Sequence, residues 1–192
     1  MPDRDALGER GRSLEDEYFW KKDRELIERL QREAADARVR EGLERASGLR
    51  APEAIQELHD LGFTPETATL LPIVPVLQVA WAEGGIRAAE RDLLVAFARS
   101  RGVEAGSAAD RQLTAWMTTR PPEAVFTGAG RLIRAMLESG TAQSGNLTAE
   151  GLVAYCERIA ASSGGVFGLG RISAEERTLL SRVAADLTER RP

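Results

Sequence analysis

Gly84 and Gly85 separate an almost wholly apolar run from an amphipathic one, and that join restricts the neighbouring chain to a helical hairpin. Before the pair, Val76, Leu77, Val79 and Ala80 make a helix apolar nearly all round, which predicts a buried central position. The glycines stop it, because glycine takes the left-handed conformation that a helix end favours. After the pair, a helix over about 87–100 places Leu93, Leu94, Phe97 and Ala98 on one face, and Gly102 closes it. The pattern returns near the C-terminus. Ile86, Ala88, Glu90, Arg91, Leu93, Leu94 and Ala98 recur as Ile172, Ala174, Glu176, Arg177, Leu179, Leu180 and Ala184, each 86 positions later.

The remaining segments read as helices that pack around these two hairpins. Residues 1–12 are polar and glycine-bearing, and mobility is expected there. Ser13 with Asp16 predicts a helix start, and the helix carries Leu14, Tyr18, Leu26, Leu30 and Ala34, with Phe19 and Ile27 widening the stripe. Trp20 falls beside that face. The helix extends to about 46 or breaks near Gly42. Pro52 starts a helix with Ile55, Leu58 and Leu61 inward, ended by Gly62, and Thr64-Pro65-Glu66 opens another. Pro72 and Pro75 each remove a helix donor, so a break and restart is expected near Pro75. Further helices are expected over about 107–118, 123–137, 147–161 and 173–189, with residues 139–146 as a flexible connection. No stretch alternates as a strand does. The fold class is all-α, an antiparallel helical bundle with two pseudo-repeated hairpins, divided into a charged N-terminal helix (1–50) and a helical domain (51–192).

Charge and composition narrow the partners. Twenty-six basic and 30 acidic residues leave a net charge of −4, with no basic excess for nucleic acid. Residues 1–50 hold 12 basic and 13 acidic side chains with signs interspersed, the pattern of a solvated helix laced with near-neighbour pairs. No apolar run reaches the roughly 18 residues of a membrane span, and from the polar first twenty residues no signal peptide is expected. Cys156 is the one cysteine. It excludes an intrachain disulfide and suits a reducing compartment, so a cytoplasmic location is expected.

Few motifs survive scrutiny as chemistry. The loop from Gly164 to Gly170 has glycines spaced like the start of a phosphate-binding loop, but Arg171 and Ile172 stand where lysine and a hydroxyl residue belong. A helix precedes it where a strand is required, so its expected role is packing through Val166, Phe167 and Leu169. His59, the sole histidine, lacks a second ligand at metal-site spacing. No sequence signature joins it to Cys156 for nucleophilic catalysis. The sharper candidate is the pair Glu83 and Glu90, two carboxylates across a short turn that could hold a hard divalent cation through oxygen. The competing role is capping. Glu90 corresponds to Glu176, which stands three after Ser173 in a capping box, and Glu83 corresponds to Leu169.

Residues 70–103, above all Val79-Ala80-Trp81-Ala82-Glu83-Gly84-Gly85 and the helix that opens with Glu90-Arg91, resemble the tellurite-resistance TerB-like family. In that family the turn usually reads Ala-Asp-Gly, where this chain has Ala82-Glu83-Gly84. The second hairpin matches more loosely, and the first 60 residues lie outside the resemblance. The resemblance implies a compact helical fold with pseudo-symmetric halves, a link to stress or metalloid resistance, and possible cation binding through Glu83 and Glu90. It implies no reaction. The expected function is a non-enzymatic binding or scaffold module with a protein partner or a second copy of itself, no other cofactor, and a divalent-cation sensor as the alternative.

Overall fold

The computed structural model of the chain describes residues 3–138, 148–163 and 174–188. Among them the structure is all-helical: α1 (Asp3–Ser47), α2 (Pro52–Asp60), a 3₁₀ turn (Ala68–Ile73), α3 (Val74–Ala80), α4 (Ala88–Ser100), α5 (Ala108–Thr118), α6 (Glu123–Glu138), α7 (Ala149–Ser163) and α8 (Ala174–Thr188). The chain divides into two compact units, Met1–Val39 and Arg40–Pro192. The larger begins at Arg40, ahead of residue 51, because Leu43, Ser47 and Leu49 are all buried. The glycine-rich loop from Gly164 to Gly170, the connection 139–146, and Ser173 lie outside the described residues.

The larger unit is built on the centre of the chain. Every residue from 70 to 77 is buried, prolines included. Pro72 sits in the 3₁₀ turn and Pro75 in the first turn of α3, where the missing N–H leaves no donor to satisfy. Around this run pack α7, α6, α8 and α4, each presenting an apolar face. From α4 come Leu94, Phe97 and Ala98; from α6, Leu132 and Ile133; from α7, Leu152, Cys156 and Ile159. The restart at Pro75, the stop ahead of Gly84, and the burial of Leu94, Phe97 and Ala98 in α4 follow the sequence pattern, while Leu93 of the same expected face is only half-buried. Gly62 and Gly102 follow the C-caps of α2 and α4 with φ of 85° and 81°, whereas α3 ends at Ala80 with Trp81 as its C-cap and Gly84 (φ 83°) turns the chain three residues later.

Three local expectations change. The first helix begins at Asp3, so Ser13 is inside it and is not its N-cap. The Thr64-Pro65-Glu66 segment opens a turn and the 3₁₀ stretch, not an α-helix, because Pro72 cannot donate within a regular helix. Thr67 accepts a hydrogen bond from the N–H of Thr64 at 2.9 Å and holds that turn. Finally, α1 runs unbroken through Gly42.

Gly42 has a packing reason. A Cβ there would lie 2.5 Å from Cγ of Pro65, a ring that cannot rotate away. At Gly128 in α6 a Cβ would lie equally close to Cδ1 of Leu61, the free end of a flexible side chain. Alanine raises helix propensity by about 1 kcal/mol over glycine at both sites. Gly42→Ala is expected to lower Tm by several degrees as overpacking of about 1–3 kcal/mol outweighs that gain. Gly128→Ala is expected to leave Tm within about 2 °C of the parent. Calorimetry of the two variants checks the contrast, and a Gly42→Ala chain as stable as the parent would refute it.

Candidate functional site

The turn between α3 and α4 is the place where the sequence gathers its candidate ligands. Its entry is fixed by Trp81, whose N–H donates to Leu77 O at 3.1 Å and whose indole Nε1–H donates to Trp116 O at 2.9 Å. Trp116 in turn meets Phe63 edge to face, with ring centroids 5.6 Å apart. Gly84 then donates to Trp81 O at 3.1 Å and reverses the chain with a positive φ that a side chain would disfavour. The indole hydrogen bond therefore ties the turn to the end of α5. Sequence spacing gave no sign of it, since the two tryptophans stand 35 residues apart.

Glu83 and Glu90 both face Arg87. The guanidinium of Arg87 ion-pairs with the Glu83 carboxylate, and Arg87 N–H donates to Glu90 Oε2 at 2.6 Å. Arg87 is the N-cap of α4, in extended conformation (φ −76°, ψ 164°), and Glu90 is N3. An arginine side chain has donors only, so it cannot return the bond to the N3 amide. Half of a capping box remains, supplied by Glu90. The two carboxylates differ in access: Glu90 is 2% exposed, while the Glu83 side chain is 31% exposed. One turn on, Arg91 reaches Met117 O at 3.5 Å. A cation at this turn would have to compete with the Arg87 guanidinium for Glu83. Among the described residues, no group of three or more His, Cys, Asp or Glu side chains is placed to hold a metal.

The other titratable candidates lie elsewhere. The His59 side chain is partly exposed, with Nδ1 3.8 Å from Asp60 Oδ1. Cys156 is buried, and burial, reinforced by Glu157, pushes its thiol up to about 12. At neutral pH almost none of it is thiolate, the form that attacks or ligates. Asp110 was not singled out by the sequence reading, yet it organises the connection from α4 to α5. It accepts the Gly106 N–H at 2.8 Å and pairs with Arg99 at 2.6 Å, while Arg99 also donates to Val103 O at 2.7 Å. The Gly106 amide first, then Arg99, hold the Asp110 carboxyl below its ordinary range.

A second surface stands out by its lack of cover. The large apolar side chains that remain exposed among the described residues are Tyr18, Phe19, Trp20, Leu26, Ile27 and Leu30, all on α1. Trp20 is 75% exposed, and Leu26 and Leu30 are about half exposed. The charges between them pair along the helix, Lys22 with Glu25 and Arg29 with Glu33, both at 3.4 Å. No described helix is long and apolar enough to cross a membrane. No family model, curated protein or solved structure matches the chain.

Two outcomes follow from this geometry. Glu90→Ala strands the Arg87 N–H and is expected to cost at least about 1 kcal/mol, whereas Glu90→Gln keeps an acceptor and loses less. Thermal melts of the two variants rank them, and equal losses would argue against capping. For Asp110, the folded carboxyl titrates below the unfolded one, so its contribution is complete above the unfolded value near 4 and fades as pH falls through the folded value. Melts between about pH 6 and 2.5 should show a smaller acid loss in Asp110→Asn than in the parent.

Proposed function

We propose that the protein is a non-enzymatic helical binding module whose interaction surface is the exposed apolar face of α1. One observation supports this most: the exposed large apolar side chains of the described residues are gathered on one stretch of a single helix. Singly scattered apolar residues need no explanation, but a contiguous set with three adjacent aromatics does. Tyr18, Phe19 and Trp20 combine large area with few rotatable bonds, and Tyr and Trp are among the residue types that dominate binding energy at interfaces. An isolated helix in water gains little from propensity alone, so a face of this kind is stabilised by what it docks against. The larger unit serves as the folded base of the module. The resemblance of residues 70–103 to the TerB-like family makes stress or metalloid resistance the setting of this proposal, by analogy alone.

The alternative is a divalent-cation sensor at Glu83 and Glu90. It is less favoured because Arg87 already pairs with the first carboxylate and is capped by the second. A cation at 100 times its dissociation constant would add about 2.7 kcal/mol. Melts of the parent with calcium, magnesium, manganese and zinc are expected to show no shift that Glu83→Ala removes. Such a shift would favour the sensor.

A photo-crosslinking amino acid placed at Trp20, with Glu104 as an exposed control on the larger unit, tests the binding surface in the source cells. Adducts of defined mass are expected from position 20, and not from 104, and should vanish in Leu26→Asp/Leu30→Asp. Absence of any adduct from position 20 would overturn the reading.

A further inference from the structure

The exposed face of α1 has a repeat that says more about its partner. Phe19, Asp23, Leu26, Leu30, Glu33 and Ala37 follow one another at spacings of four and three, the seam of a two-helix coil. Trp20, Ile27 and Ala34 border the seam on one side; Lys22, Arg29 and Asp36 border it on the other. Over residues 19–37 the chain has five basic and five acidic side chains, so net repulsion does not oppose a second copy. We infer that two copies of this chain associate through α1, antiparallel, about a two-fold axis at the level of Glu28. The inference rests on the binding-surface reading above and identifies its partner.

The antiparallel register sets large residues against small. Leu26 faces the partner's Leu30, Phe19 faces the partner's Ala37, and Trp20 faces the partner's Ala34. Ile27 meets its own counterpart across the axis. Lys22 faces the partner's Asp36, and symmetry repeats that pair at the other end. A parallel register instead sets Phe19 on Phe19, Asp23 on Asp23 and Glu33 on Glu33, and it places Lys22 beside the partner's Ile27 with no opposite charge. The antiparallel register has two acidic layers as well, Asp23 against the partner's Glu33 at each end, and sets Arg29 against the partner's Arg29 across the axis, so what favours it is the Lys22–Asp36 pairing and the fit of large residues against small. Arg29, which pairs with Glu33 at 3.4 Å along its own helix, brings a cation beside each acidic layer. The paired stretch is roughly 28 Å long at about 1.5 Å per residue. That length buries an area at or below the low end of specific interfaces, about 1,200 Å², and so calls for micromolar association.

Sedimentation velocity of the full chain between about 5 and 500 μM tests the pairing at a concentration span suited to such an affinity. The expected result is a concentration-dependent rise from the 20.9 kDa chain mass to twice that value. Leu26→Asp/Leu30→Asp should stay monomeric throughout while keeping the parent's thermal transition, since both side chains are exposed and outside the larger unit. Lys22→Glu should weaken association roughly five-fold, and adding Asp36→Lys in the same chain should restore it. Orientation is read by oxidation, with the buried Cys156 as a silent background. Ile27→Cys should form a disulfide-linked dimer and Phe19→Cys should not; the reverse would overturn the antiparallel register. Monomeric behaviour over the whole concentration range would overturn self-association. It would leave the binding-surface reading standing if position 20 still crosslinks to another protein, so the two failures are distinguishable.

Discussion

Burial of the run from residue 70 to residue 77 is the constraint on which the larger unit depends. Eight consecutive buried residues cannot sit on one face of a helix, so the segment must be surrounded. That requires apolar faces from several directions, and α7, α6, α8 and α4 supply them. Buried backbone must also satisfy its polar groups. Two prolines lower that demand by removing donors, and their fixed φ suits a tight 3₁₀ turn followed by a fresh helix start. The same residues that look like helix breakers in isolation are thus compatible with the most enclosed segment of the fold.

The turn that follows inherits its rigidity from this core. Trp81 leaves the buried helix half-covered and anchors its indole on the end of α5, and Gly84 reverses the chain. Arg87 then links both carboxylates of the turn, one through its guanidinium and one through its backbone N–H. A buried carboxylate at N3 of α4 also complements the helix dipole. Geometry that would look like a ligand pair in the sequence is therefore occupied by the chain itself. The α4–α5 connection repeats the theme with Asp110, whose carboxylate gathers an amide and a guanidinium.

The smaller unit obeys different physics. Its charges are dense, alternate in sign and pair along the helix, which keeps a long helix solvated. Its apolar residues follow coil-like spacing without being covered by the described chain. Stability in the larger unit comes from surrounding one segment on all sides. In the smaller one the large apolar side chains stay exposed and the charges pair along the helix.

The sequence by itself determined the helices and where they stop, because apolar periodicity, prolines and glycines act within a few residues of themselves. The restart at Pro75, a helix end ahead of Gly84, and Leu94, Phe97 and Ala98 as the inward residues of α4 were legible in this way. The candidate carboxylates were legible too, and Glu90 as a cap was readable from its Ser173–Glu176 counterpart. The start of α1 was misplaced at Ser13, because a capping pattern inside a long charged helix looks the same as one at its end. Only the tertiary structure decided what the side chains do. The Trp81–Trp116 hydrogen bond, the depth of Glu90 and the approach of Pro65 to Gly42 all depend on segments distant in sequence. Local propensity fixes the backbone of such elements, but burial and partnership are properties of the neighbours that folding brings.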